Sequence, residues 1–230
     1  MCAIIGVVLD NPSLDELEQV KRVFLESRIR GMHATGISWV KDDTVHTIKE
    51  PIPANEFVDK YMTDMGEFLD NGKLFLVGHC RYSTSDLEYN QPIANQCVSV
   101  VHNGVITQEL PEKWKDIYGY DTETHNDSEL ILHTINDNKS PLEEWADSSL
   151  AVIELYGNQR MRFYRNGKRP MYLTNMPSGS IITSTRDVPL RAGIMEIGIS
   201  VPMNTYSIFD ERLTLLLERV EIDGERDLQP

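Results

Sequence analysis

The chain reads as a layered α+β protein with two mostly antiparallel sheets, and a few features of the sequence carry that reading. Strand-like runs come in two batches, one ending near Val101 and the other starting at Leu150. Segments with helical periodicity lie within the first batch and between the two. No internal repeat, low-complexity tract or Pro/Gly-rich linker divides the 230 residues, so a single domain over 1–230 with one sizeable core is expected.

Taken in order, Cys2-Ala3-Ile4-Ile5-Gly6 heads an apolar, strand-like run. Ser13 and Glu16 stand at capping-box spacing, and Leu14, Leu17, Val20, Val23 and Phe24 follow at helical intervals, which predicts a helix over 13–30. Gly31 is expected to stop it in the left-handed backbone region. Runs rich in β-formers at 36–40 and 44–48 flank Asp42-Asp43, the pattern of a hairpin. Residues 55–69 read as a second helix closed by Asp70-Asn71-Gly72. The runs 74–78 and 98–101 are short buried-strand patterns, each ending in a polar cluster of the kind from which sites are built. Asn126-Asp127-Ser128-Glu129 caps a third helix through Asn136, with Leu130, Ile131 and Ile135 on one side. The remaining strands are expected at 151–156, 161–164, 171–174, 181–183, 206–209 and 213–220.

Composition narrows the function. Against 36 acidic side chains stand 22 basic ones, a formal net charge of -14 that repels nucleic-acid phosphates. The one basic concentration, Arg160, Arg162, Arg165, Lys168 and Arg169, reads as a hairpin with a solvated face. No apolar stretch is long enough to span a bilayer and no signal-peptide pattern opens the chain, so a cytoplasmic protein without a membrane partner is expected. Cys2, Cys80 and Cys97 are odd in number and widely spaced, which fits neither a disulfide framework nor a CxxC zinc site. Cys80 and Cys97 are expected to be buried and inert. His79, His102, His125 and His133 lie on separate elements without an HxxxH pair, so core or site-wall histidines are expected rather than metal ligands. No Gly-rich phosphate loop occurs, and the reading calls for no cofactor.

Cys2 is the position with the most chemistry in it. Read alone, it is either a small buried hydrophobe on an edge strand or a nucleophile. Loss of Met1 makes the same residue both thiol and chain terminus. A free α-amine, with a pKa of roughly 7.7–8, is partly unprotonated near neutral pH and can act as the thiol's own base. Four polar clusters accompany it: Arg30-Gly31-Met32-His33-Ala34-Thr35-Gly36, Gly78-His79-Cys80-Arg81-Tyr82-Ser83-Thr84, His102-Asn103-Gly104 and Asn126-Asp127-Ser128-Glu129. Arg81 is either a surface ion-pair partner or a planar fork for a carboxylate. Asn103-Gly104 is a tight-turn pair, and a turn that presents an amide and a backbone N–H in one direction also makes an oxyanion hole. Asp127 is favourable at a helix start on dipole grounds alone.

In order, spacing and chemistry these clusters resemble the class II glutamine amidotransferase domain, as found in glutamine phosphoribosylpyrophosphate amidotransferase and glucosamine-6-phosphate synthase. Asp147 to Leu155, Gly167-Lys168-Arg169-Pro170-Met171-Tyr172 and Ile181-Ile182-Thr183-Ser184-Thr185-Arg186-Asp187 continue the similarity, which covers 2–210 and leaves a short C-terminal extension. The resemblance implies a four-layer αββα Ntn-hydrolase sandwich. It further implies that Cys2 attacks the side-chain amide of glutamine while the Asn103 amide and the Gly104 N–H hold the oxyanion. Arg81 would grip the α-carboxylate and Asp127 the α-ammonium, with Thr84 a weaker contact and Arg30 and Gly31 shaping the wall near the cysteine. Products would be glutamate and ammonia, by way of a γ-glutamyl thioester. The chain ends soon after the last recognisable stretch, so the ammonia acceptor is expected on a separate synthase protein. A free-standing Ntn amidase or glutaminase, or a non-catalytic glutamine-binding subunit, is the alternative, and a homo-oligomer is compatible with the sequence. The departures from the family pattern are Ala3 for a usual glycine, His33 for an aspartate common in its loop, and Ser85 where glucosamine-type enzymes carry histidine. Tyr82 resembles the phosphoribosylpyrophosphate branch.

Overall fold

Ala3, Ile5, Val7 and Leu9 turn to one face of the first strand and Ile4 and Val8 to the other, and both faces are buried, which makes β1 (Ala3–Asp10) a central strand. The structure, a computed structural model, describes residues 2–83 and 88–221. After β1 follow α1 (Leu14–Ser27), β2 (Ala34–Lys41), β3 (Thr44–Glu50), α2 (Ala54–Tyr61), β4 (Lys73–Arg81), β5 (Ile93–Ala94), β6 (Val98–His102), α3 (Trp114–Tyr118) and α4 (Glu129–Asn136). The second half holds α5 (Pro141–Glu144), β7 (Ala151–Tyr156), β8 (Arg160–Arg165), β9 (Tyr172–Met176), β10 (Gly179–Thr183), α6 (Val188–Arg191), β11 (Ile199–Ser200), β12 (Thr205–Phe209) and β13 (Leu215–Arg219). They form two antiparallel sheets in the orders β11-β9-β10-β1-β4-β2-β3 and β13-β12-β8-β7-β6-β5.

Three apolar layers hold the sheets and helices together. Leu17, Val20 and Phe24 of α1 and Phe57 of α2 pack on Ile5, Val7 and Leu76 of the first sheet. Ile4, Val8, Phe75 and Val77 on its other face meet Val101, Ile153 and Phe163 of the second sheet. Beyond that sheet, Val98, Val100, Val152 and Tyr164 pack on Leu130, Ile131, Leu142 and Trp145. Each fully buried side chain of this size contributes roughly 1.5–3 kcal/mol. The helix–sheet–sheet–helix order is the αββα sandwich that the sequence predicts.

Local differences have physical causes. The capping box forms, with Glu16 N–H donating to Ser13 Oγ at 3.2 Å and Ser13 N–H to Glu16 Oε2 at 2.9 Å. The α-helix nevertheless stops at Ser27 and a 3-10 turn, Arg28–Arg30, follows it. Leu14 is 83% exposed at the first helical position, off the buried stripe. Gly31 is not left-handed: its φ of -158° is extended, and glycine is needed because a Cβ there would lie 2.1 Å from the Cys80 carbonyl oxygen. The second helix splits into α2 and a 3-10 turn, Met65–Phe68, because Asp64 intervenes and its carboxylate accepts the Gly66 N–H at 2.8 Å. Asp42 and Asp43 do form the hairpin turn, both at positive φ. Cys97 is exposed in the turn before β6, which corrects the expectation of a buried thiol. Arg162 is no solvated hairpin residue either; its side chain is mostly buried against Glu154.

Candidate active site

Strand register brings the predicted residues to one end of the space between the sheets. Ile4 pairs with His79 and Ala3 with Cys80 across β1 and β4, and Ile4 faces the second sheet. By alternation His79 and Arg81 share that face, and half-buried Cys2, one step beyond the Ala3–Cys80 pair, comes level with Arg81. Val101 of β6 looks back across the same space, and Asn103, two residues on, continues its alternation while its N–H bonds the Ala151 carbonyl at 2.9 Å. Asn103 is only 3% exposed, yet its side-chain nitrogen has no hydrogen-bond partner among the described residues. The Gly104 N–H donates to no described residue, whereas Val105 N–H donates to the Ser149 carbonyl at 3.2 Å. A Cβ on Gly104 would lie 1.8 Å from the Ser149 carbonyl oxygen, so a glycine is required for the turn to pack this close. A buried amide and a half-buried backbone N–H on consecutive residues, neither engaged by the described residues, are the arrangement an oxyanion hole requires.

The two groups expected to read the amino-acid end of a substrate are tied to a common point. Arg81 Nη1 donates to the Tyr89 carbonyl at 2.8 Å and to Asn90 Oδ1 at 2.7 Å. Asn126 Nδ2 donates to the same Tyr89 carbonyl at 3.0 Å. Next to it, Asp127 Oδ2 accepts the N–H groups of Ile106 at 2.6 Å and Thr107 at 3.4 Å, while Oδ1 accepts nothing from the described residues. Gly31, beyond the turn that Arg30 ends, packs against the end of β4. His33 N–H donates to the Arg81 carbonyl at 3.0 Å, and His33 Nδ1 accepts the Ser83 N–H at 2.9 Å. His33 thus serves as an acceptor for the residue two positions beyond β4. Thr84 and Ser85 lie outside the described residues.

Burial sets the protonation of the surrounding groups. It pushes the Cys80 thiol up to about 12, reinforced by nearby Cys2 and opposed by a hydrogen bond with Thr35, so this second thiol stays protonated and inert. His79 is 1% exposed with neither ring nitrogen bonded among the described residues; burial first, then the charges of Arg81, His102 and Lys49, push it down to about 3. His102 is lowered by burial against the opposing pull of Asp127 and Ser149. Both imidazoles are neutral at pH 7, and the charged side chains acting on them are Arg81 and Lys49 at His79 and Asp127 and Arg169 at His102. Among the described residues no group of three His, Cys, Asp or Glu side chains is placed to hold a metal ion. The contacts of Tyr89, Asn90, Gln91, Lys49 and Ser128 have no signature in the sequence, since each depends on a partner far along the chain.

No family model and no curated protein matches the sequence. Solved structures do match it. The glutamine phosphoribosylpyrophosphate amidotransferase of B. subtilis, complexed with ADP and GMP, superposes with a TM-score of 0.72 at 16% identity, over 95% of this chain and 49% of that one. A structure described as the allosteric regulatory enzyme of purine biosynthesis gives 0.71 at 16% identity, over 96% and 50%. A glutamine aminotransferase class-II domain protein from Silicibacter pomeroyi gives 0.55 at 10% identity, over 95% and 99%. The chain spans about half the length of the first two. Among the described residues no helix is long and apolar enough to cross a membrane. With the two antiparallel sheets, their helical layers and these neighbours, the chain has the fold of an Ntn-type class II glutamine amidotransferase domain.

Proposed function

We propose that this chain hydrolyses the side-chain amide of glutamine to glutamate and ammonia, with Cys2 as nucleophile and its α-amine, freed by removal of Met1, as base. The observation that carries the reading is the Asn103-Gly104 turn at the Cys2 end of the sandwich, whose buried amide nitrogen and half-buried backbone N–H have no partner among the described residues. The Cys2 thiolate forms a bond to the amide carbon, and the oxyanion that develops is held by these two donors. Collapse breaks the C–N bond, and the ammonium formed from the α-amine gives its proton to the leaving ammonia. Water then cleaves the γ-glutamyl thioester, releasing glutamate and restoring the thiol. Arg81 and Asp127 select glutamine by its α-carboxylate and α-ammonium. The ammonia goes to an acceptor site on a separate synthase protein, in the cytoplasm, and the whole sequence forms one glutaminase domain. The glutamine phosphoribosylpyrophosphate amidotransferase, named for transfer from glutamine to an acceptor, supports delivery of ammonia to an acceptor site, and the glutamine aminotransferase class-II domain protein supports the use of glutamine.

Expression from the native start, intact-mass measurement and a glutamate-release assay test the reading. Active protein is expected to lack Met1, and Cys2→Ala is expected to lose nearly all turnover while unfolding at the same temperature. Full activity in protein that retains Met1, or in Cys2→Ala, would overturn the mechanism. Stimulation by a co-purifying synthase with its acceptor bound separates the coupled reading from the free-standing one.

A further inference from the structure

We infer that Gln91 is a positioning residue that locks the oxyanion turn and the ammonium reader into one frame; the inference rests on the glutaminase reading above. Gln91 is 6% exposed and belongs to no element, but the register of the neighbouring ladder explains its place. Ile93 pairs with Val100 and Ala94 with Ser99 across β5 and β6, so continuing that ladder brings Gln91 opposite His102. Pro92 has no N–H with which to extend the ladder. The side-chain amide of Gln91 takes over the backbone's role: Oε1 accepts the His102 N–H at 2.6 Å, and Nε2 donates to the His102 carbonyl at 3.2 Å.

The same Nε2 donates to Ser128 Oγ at 3.0 Å, at the start of α4 and next to Asp127. His102 completes a directed network. Its Nε2 lies 2.9 Å from the Ser149 carbonyl, which can only accept, so that nitrogen carries the proton and Nδ1 accepts the Ser128 hydroxyl at 3.1 Å. Gln91, His102 and Ser128 are all buried, and the hydrogen bonds among them are consistent with this one proton arrangement. The backbone on either side is pinned as well, since Lys49 Nζ donates to the carbonyls of Asn90 at 2.8 Å and Pro92 at 2.9 Å. Upstream, Tyr89 and Asn90 accept the Arg81 guanidinium. One short segment therefore touches all three parts of the glutamine site, and Gln91 is the member that joins the oxyanion turn to the Asp127 loop.

The test compares Gln91→Met, which keeps length and burial but removes the donor and acceptor, and Ser128→Ala, which removes one hydroxyl, with the native chain. In glutamine hydrolysis, Gln91→Met is expected to lower kcat by about 10- to 100-fold, the scale on which a catalytic group displaced by ~1 Å acts, and to raise KM as well. Cys2 alkylation by iodoacetamide is expected to be unchanged, because the thiol itself is untouched. Backbone hydrogen exchange is expected to accelerate at both 102–107 and 126–131 in each variant, and this readout needs no activity. If the native chain releases no glutamate, the glutaminase reading fails and hydrogen exchange still decides the role of Gln91. Native-like exchange at either segment in both variants, or a fall in thermal stability with kcat and KM unaltered, overturns the inference. If Gln91→Met does not fold, Ser128→Ala supplies the same comparison.

Discussion

Hydrogen bonding separates two buried polar clusters on the sheets of this protein, the Glu154–Arg162 cluster and the Asn103–His79 cluster. On the outer face of the second sheet, fully buried Glu154 is gripped by Arg162 through Nε at 2.6 Å and Nη2 at 3.0 Å, and accepts the Tyr156 hydroxyl at 2.5 Å. Arg162 also lies over the Tyr206 ring, 4.5 Å from its centroid. Burial alone would lower the Arg162 pKa, but Glu154 outweighs it and the guanidinium is held charged. At the end between the sheets, the Asn103 side-chain nitrogen and both ring nitrogens of His79 are buried without partners among the described residues. An orphaned buried group of this kind costs about 1–3 kcal/mol. A cluster whose charges are all paired has nothing to offer a ligand and serves the fold. A cluster that keeps donors unengaged in a buried place loses stability until a substrate engages them, which is the signature of a site.

Removing one member from each cluster has the largest expected effects. Arg162→Ala leaves Glu154 as an uncompensated buried carboxylate and is expected to lower stability by about 3–5 kcal/mol in urea unfolding. Its kcat per folded molecule is expected to stay native. Asn103→Ala is expected to do the reverse: kcat falls by about 10²–10³ for one oxyanion donor, with little change in unfolding, since the amide nitrogen has no bond to lose. A stability loss in Asn103→Ala as large as that in Arg162→Ala, with kcat intact, would show that the unpaired amide is not a site group.

The smaller effects concern recognition. Arg81→Lys keeps the charge and loses the planar fork, and Asp127→Asn keeps an acceptor for the Ile106 N–H while losing the charge. Each is expected to raise the KM for glutamine by about 10- to 100-fold, the worth of one charged hydrogen bond, with a smaller effect on kcat. Steady-state kinetics on both variants checks this. An unchanged KM in both would mean that these residues do not read the substrate.

How much of this was legible in the sequence depends on the distance over which each feature is encoded. The long strands and α1 were legible because their period is local, and the polar segments that hold Cys2, Arg81, Asn103, Gly104 and Asp127 were visible as clusters at element ends. The split of the second helix was not, because Asp64 competes for a backbone N–H only once Met62 and Met65 turn into the core. Gly31 was identified as special for the wrong reason: its constraint is the Cys80 carbonyl, forty-nine positions away in sequence, and not its own φ. Arg162 looked solvated because its partner, Glu154, faces it only through the β7–β8 register. Gln91 and Lys49 were invisible for the same reason, since nothing adjacent to either names its partner. The two-residue strands and the helices of five residues or fewer carry too little pattern to read.

The last test asks whether the unpaired cluster also governs the response to acid. His79 titrates at about 3 in the folded chain against 6.5 for the free side chain, because burial and the charges of Arg81, His102 and Lys49 all oppose its protonation. Between those two values the unfolded chain binds a proton that the folded chain does not. Stability from this group is therefore fully present above pH 6.5 and is lost as pH falls towards 3. From pH 7 to pH 5 the loss amounts to about 2 kcal/mol, at roughly 1.4 kcal/mol per unit below the free value. His79→Leu, similar in volume and free of orphaned nitrogens, is expected to match or exceed the native stability at pH 7 and to lack that part of the acid slope. Urea unfolding of both chains at pH 7, 6 and 5 reads the difference directly, with other titrating groups cancelling between them. Equal slopes would mean that His79 is protonated or hydrogen-bonded in the folded chain, and the contrast with the charge-paired Glu154 and Arg162 would then rest on Asn103 alone.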